Sequence, residues 1–180
     1  MKPWIAVMLM FSTCLAIAEE KVTYQNWAVV MNGQAGGQTS EAYTIADANS
    51  SLGVFCAKDQ CIFYLRQGLN CTPGTSYPIL MNSASVTASL TMECTLINGN
   101  TFNVLKPFNG VLRATQSGDS IGFAVGLQSS TFAASRFSLL GAKSAIDRVL
   151  IEAATSKKKE QGLPPKSLPL PKKGSKDLSI

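Results

Sequence analysis

From Val86 to Leu96 the chain alternates strictly. Val86, Ala88, Leu90, Met92, Cys94 and Leu96 are apolar, and Thr87, Ser89, Thr91, Glu93 and Thr95 between them are polar. A period of two predicts a strand with one buried and one solvated face. Asn98-Gly99 follows, and Phe102 with Val104-Leu105 resumes the apolar pattern up to Lys106. An Asn-Gly pair between strands predicts a hairpin, because both turn positions need positive φ.

Other stretches read as strands on composition: Lys21–Met31 as one, then Ala42–Ala46, Leu52–Ala57, Cys61–Arg66 and Phe132–Leu139. Ser120–Gln128 places Ile121, Phe123, Val125 and Leu127 on one face and Gly122, Ala124 and Gly126 on the other. Small residues there predict a close neighbour or a bend. Asn32–Ser40, Asn70–Tyr77 and Gln116–Asp119 read as loops, and Pro107, Asn109 and Gly110 punctuate the chain before Val111–Thr115. Past Gly141 the period changes. Ala142, Ala145, Ile146, Val149, Leu150 and Ala153 predict an amphipathic helix over about 142–154, with an Asp147–Lys143 pair on its wet side. The fold class expected is mainly β: a β-sandwich or partly open barrel of about seven to nine strands, closed by one C-terminal helix.

The two termini have other compositions. Lys2, an apolar run from Trp4 to Leu15 and Ala16-Ile17-Ala18 form a secretory signal peptide over residues 1–18. The run is shorter than the roughly 20 residues a membrane span needs, so no stable transmembrane segment is expected after cleavage. Residues 19–156 form the β-rich domain. Residues 157–180 carry seven lysines, four prolines and no aromatic residue, and are expected to be a disordered basic tail. The net charge of +5 belongs to that tail; the body from Glu19 to Ser156 has eight basic and nine acidic residues.

Signal cleavage removes Cys14 and leaves Cys56, Cys61, Cys71 and Cys94. An even number in an exported chain predicts two disulfides. Three connectivities are open to four cysteines; the expected pairs are Cys56–Cys61, closing a hairpin, and Cys71–Cys94, tying a loop to the long strand. Cys56-x4-Cys61 is not a C-x-x-C redox pair. The chain contains no histidine, which excludes Ser–His and Cys–His catalysis within it.

No catalytic, metal or cofactor constellation stands out. Asp47, Asp59, Glu93, Asp119 and Asp147 are well separated, Ser156-x-x-Lys159 matches a catalytic motif by letters alone, and the glycines of Asn32–Ser40 fit no phosphate-binding pattern. Trp27, Phe55, Phe63, Tyr64, Phe123 and Phe137 are expected in the core. The tail lysines Lys157, Lys158, Lys159, Lys172, Lys173 and Lys176 are the candidate partner-binding residues, suited to an anionic envelope surface or an acidic protein rather than to nucleic acid.

Two segments resemble a known family. The stretch FAASRFSLLGAKSAIDRVL (132–150) is similar to the closing strand and helix of the invasion-associated locus B family of exported Gram-negative proteins. NWAVV (26–30) is similar to the tryptophan strand that opens those domains. The chain departs from the family in having Met31 and Asn32 where a cysteine is expected. The resemblance implies a periplasmic or surface β-domain linked to host colonisation or envelope assembly, and it brings no catalytic residues with it. The expected function is therefore a non-enzymatic, periplasmic binding or assembly component of the envelope. A secreted virulence or inhibitory factor is the alternative, and a carboxylate-dependent hydrolase the weaker one.

Overall fold

The structure, a computed structural model, describes residues 20–161 apart from 35, 36, 58, 59, 98 and 128–130. The expected signal peptide, Asp59 and Lys172, Lys173 and Lys176 lie outside the described residues. Ten strands are described: β1 (Glu20–Tyr24), β2 (Trp27–Gln34), β3 (Gly37–Asp47), β4 (Ser50–Ala57), β5 (Gln60–Gln67), β6 (Ser76–Ser83), β7 (Thr87–Ile97), β8 (Asn100–Lys106), β9 (Ser120–Gly126) and β10 (Phe132–Ser138). Helix α1 (Phe108–Thr115) joins β8 to β9, and α2 (Ala142–Gln161) follows β10. All strands pair antiparallel in one sheet of order β1-β2-β3-β4-β5-β8-β7-β6-β9-β10. The sheet curls until β10 lies against β3, β4 and β5, without closing edge to edge. This is a partly open barrel, mainly β as the patterning predicts.

The inner face holds one core. Trp27, Leu52, Phe63 and Leu65 from one half meet Ile79, Met81, Met92, Ile121 and Phe137 from the other, all essentially inaccessible to solvent. Each large side chain so buried contributes about 1.5–3 kcal/mol before its entropy is counted. Helix α2 packs its stripe of Ala142, Ala145, Ile146, Val149 and Ala153 into this core over β3 and β4. Helix α1 buries Val111 and Ala114, and its Phe108 ring lies 4.8 Å from Phe63.

Several expectations are corrected. Lys21–Met31 is two strands, because Gln25 takes a positive φ of 50° and turns the chain at a place with no glycine or proline to mark it. Asn32–Ser40 is not an open loop: β2 and β3 stay paired through Asn32↔Thr39 and Gln34↔Gly37, the ladder overriding a turn-rich composition. Ser76–Ser83 forms β6 between β7 and β9 despite Pro78. Val111–Thr115 belongs to a helix. Helix α2 runs to Gln161, past the expected end, so residues 157–161 are helical backbone and not tail. Lys157–Glu160 are good helix formers, and the first breakers are Gly162 and Pro164.

The two ends of the domain are fastened together. Trp27 Nε1 donates to the Ser138 carbonyl at 2.8 Å, Asn26 Nδ2 donates to Ser138 Oγ at 2.8 Å, and the Asn26 N–H donates to the Leu140 carbonyl at 3.2 Å. Gly141 completes the seam. Its φ is +88°, and a Cβ there would stand 2.0 Å from the Tyr24 carbonyl oxygen, so only glycine fits.

Candidate functional site

Both expected disulfides are present. Cys56 and Cys61 are direct cross-strand partners of β4 and β5 with Cα atoms 4.1 Å apart. Cys71 joins Cys94, holding the segment after β5 against β7, and the Gly74 and Thr75 backbones bond to Cys94 alongside. These are structural staples, and the staple at Cys71 shapes a cleft.

Strand alternation in β5 sends Phe63 and Leu65 inward and Ile62, Tyr64 and Arg66 outward. Tyr64 and Phe55 are therefore not core residues. Trp27, Phe63, Phe123 and Phe137 are buried as expected. The Tyr64 ring lies across β4 at Gly53, where a Cβ would come within 2.6 Å of the ring. That close approach lets the phenol reach β3, where it donates to Glu41 Oε1 at 2.5 Å. Phe102 of β8 meets Tyr64 edge-on at 5.7 Å and stacks on Phe55 at 5.6 Å. Tyr43 continues the aromatic surface, with Lys21 Nζ 5.8 Å from its ring centre.

Two clefts meet over Tyr64. One, of about 310 Å³, is lined by Glu41, Tyr43, Ile45, Asp47, Ser51, Tyr64 and Arg66 among others. The second, of about 480 Å³, shares Glu41, Ser51, Tyr64 and Arg66 and extends to Asn70, Asn100 and Phe102. It opens where β5 and β8 part, since their described pairing covers Phe63↔Leu105 and Tyr64↔Val104 alone. The result is a two-lobed trough with an aromatic floor and polar walls.

Burial pushes the Tyr64 hydroxyl well above the usual phenol range, and the Glu41 negative charge pushes it further. Tyr64 is thus a fixed neutral donor at neutral pH. Asp47 is held below the usual carboxylate range by the Asn49 N–H it accepts at 2.8 Å, with Ser50 helping. Glu41 and Asp47 line the same cleft but stand six residues apart on one strand, roughly 20 Å at the backbone. That exceeds the roughly 5–10 Å separation at which paired carboxylates cleave glycosides.

The other carboxylates are dispersed. Glu93 pairs with Lys106 at 2.5 Å, and Asp147 with Lys143 at 2.7 Å as expected for that helical spacing. Among the described residues no three histidine, cysteine or acidic side chains gather as a metal site, and no helix is long and apolar enough to cross a membrane. Ser156 Oγ donates to Gln38 Oε1 and to the Glu152 carbonyl. Of the six candidate lysines, Lys157–Lys159 fall on the last turns of α2 and the rest lie outside the described residues.

Sequence reasoning missed the Glu41–Tyr64 pair. Glu41 was not among the carboxylates singled out, and CIFYLR is too uniformly apolar to reveal which face Tyr64 takes. One signal was available: Gly53 interrupts an apolar strand, a mark of close approach by another group.

No family model matches the chain, and no curated protein matches it in sequence. Among solved structures it is similar to invasion associated protein b from Bartonella henselae, with a TM-score of 0.52 and 12% identity over 76% of this chain and 98% of that one. The likeness is one of fold, and it is consistent with the resemblance of NWAVV and FAASRFSLLGAKSAIDRVL to the invasion-associated locus B family.

Proposed function

We propose that the protein is a non-enzymatic, exported component of the bacterial envelope that binds or assembles with another envelope constituent. The observation carrying this reading is the trough over Tyr64. It is a preformed concave surface on paired strands, in which the Tyr64 hydroxyl and the Asp47 carboxylate are each held in one state by their neighbours. Tyr64 stays protonated against Glu41, and Asp47 is tied to its own turn. Such a surface is built to hold a partner in place. Two disulfides support an oxidising compartment, and with the N-terminal signal they favour the periplasm. The shared fold with an invasion-associated protein supports a role at the cell surface or in host colonisation. The lysines beyond α2 add attraction to anionic envelope surfaces.

The test is photo-crosslinking in living cells. A benzophenone amino acid replaces Ile45, which is 62% exposed beside the trough, and a second replaces the exposed Ile151 of α2 as control. Position 45 should give a discrete adduct in the envelope fraction that position 151 does not. Identical background labelling from both positions would sink the reading. Deleting residues 162–180, which spares α2, should reduce salt-sensitive retention on membranes without removing the adduct.

A further inference from the structure

Resting on the reading of the trough as a binding surface, we propose that its occupant is a glycan chain. The floor comes first. Tyr64 packs close against Gly53 and is part-buried, and the likewise part-buried Tyr43 and Phe102 extend the aromatic surface. Sugar rings have an apolar C–H face that packs on aromatic faces, while their hydroxyls need partners around the rim. The rim supplies them. Arg66 and Asn100 bear planar groups with two adjacent polar atoms each, the shape that meets neighbouring hydroxyls two at a time.

Two further features argue against other polymers. Strand β4 is hydrogen-bonded on both sides along its length and β3 on both sides as far as Tyr43, so the floor at Gly53 and Glu41 offers no free edge for an extended peptide to join as a strand. Charge around the trough is mixed, with Glu41 and Asp47 against Arg66 and Lys21, so neither a polyanion nor a basic peptide finds a matching field. The two lobes meet over Tyr64, giving a path that continues past a single ring. A mostly uncharged, hydroxyl-rich chain fits all of these conditions.

The test uses the mature, oxidised chain and three uncharged probes: peptidoglycan glycan strands freed of stem peptides with their lactyl carboxylates amidated, a neutral, phosphate-free O-antigen oligosaccharide, and the tetrasaccharide of N-acetylglucosamine. At least one should bind in titration calorimetry, with affinity unchanged between low and high salt. Arg66→Ala and Tyr43→Ala should each weaken it tenfold or more, with the thermal unfolding midpoint retained. Tyr64→Phe keeps the ring and should weaken it less. Failure of all three probes, or binding that vanishes with salt and follows residues 162–180, overturns the proposal. A crosslink from position 45 to a protein with no glycan would overturn it too, yet leave the trough a binding surface; loss of the adduct altogether removes both.

Discussion

The indole of Trp27 and the carbonyl of Ser138 are hydrogen-bonded at 2.8 Å across 111 positions of the chain. Trp27 is fully buried, so this bond satisfies an N–H that has no access to water. Trp27→Phe keeps most of the apolar volume but leaves the Ser138 carbonyl without its indole donor. We expect a loss of about 1–3 kcal/mol in urea unfolding of the oxidised protein. Trp27→Ala should cost about 3–5 kcal/mol.

Gly141 and Gly99 have nearly the same backbone conformation, with φ of +88° and +81°, but different surroundings. A Cβ on Gly99 meets nothing within 4 Å, whereas one on Gly141 collides with the Tyr24 carbonyl. Gly99→Ala should cost about 1–2 kcal/mol, the conformational penalty alone. Gly141→Ala should cost more than about 4 kcal/mol or prevent folding. Similar losses for the two variants in thermal unfolding would refute the seam's steric demand.

Tyr64 makes stability depend on alkaline pH. Its hydroxyl titrates higher in the folded protein than the ordinary value of 10.0. Above about pH 10 the unfolded chain releases this proton and the folded one keeps it, so stability falls as pH rises. The slope from one such group is about 1.4 kcal/mol per pH unit. Tyr64→Phe should lower stability at pH 7 by the lost bond to Glu41 and flatten the fall between pH 10 and 11. An unchanged alkaline limb in Tyr64→Phe would contradict the assignment.

The disulfides close loops of different length, with sequence separations of 5 and 23. Loop-closure entropy alone makes the longer one more stabilising by about 1.4 kcal/mol. Replacing Cys71 and Cys94 together by alanine should therefore cost more than replacing Cys56 and Cys61. Intact mass should show four fewer hydrogens in the native protein than in the reduced one. Two free thiols would contradict the structure.

Much of the architecture is legible where the local signal is strong. The alternation from Val86, the Asn98-Gly99 turn and the 3.6-residue stripe after Gly141 each lead to β7, the β7–β8 hairpin and α2. Alternation alone did not set the edge of the core, for Leu96 follows the inward parity of Cys94 and yet is 57% exposed beyond the last packed layer. Legibility fails where tertiary contacts decide. Gln25 turns because Asn26 is held at Leu140, and nothing adjacent in sequence announces it. The trough is hidden for the same reason: it needs Gly53, Glu41 and Tyr64 from three strands, and their meeting depends on register rather than on any spacing.

The seam also sets an order of events. A chain made from its N-terminus presents Asn26 and Trp27 first, and their partners from Ser138 to Leu140 more than a hundred residues later. Local hairpins such as β4–β5, with its own disulfide, can form meanwhile, but the tryptophan has no carbonyl to bind and the core no lid until α2 arrives. Contacts of such long separation form late. Maturation of this protein is therefore gated by the appearance of α2. Until then the first tryptophan strand is exposed to whatever folding helper or neighbouring chain attends its emergence.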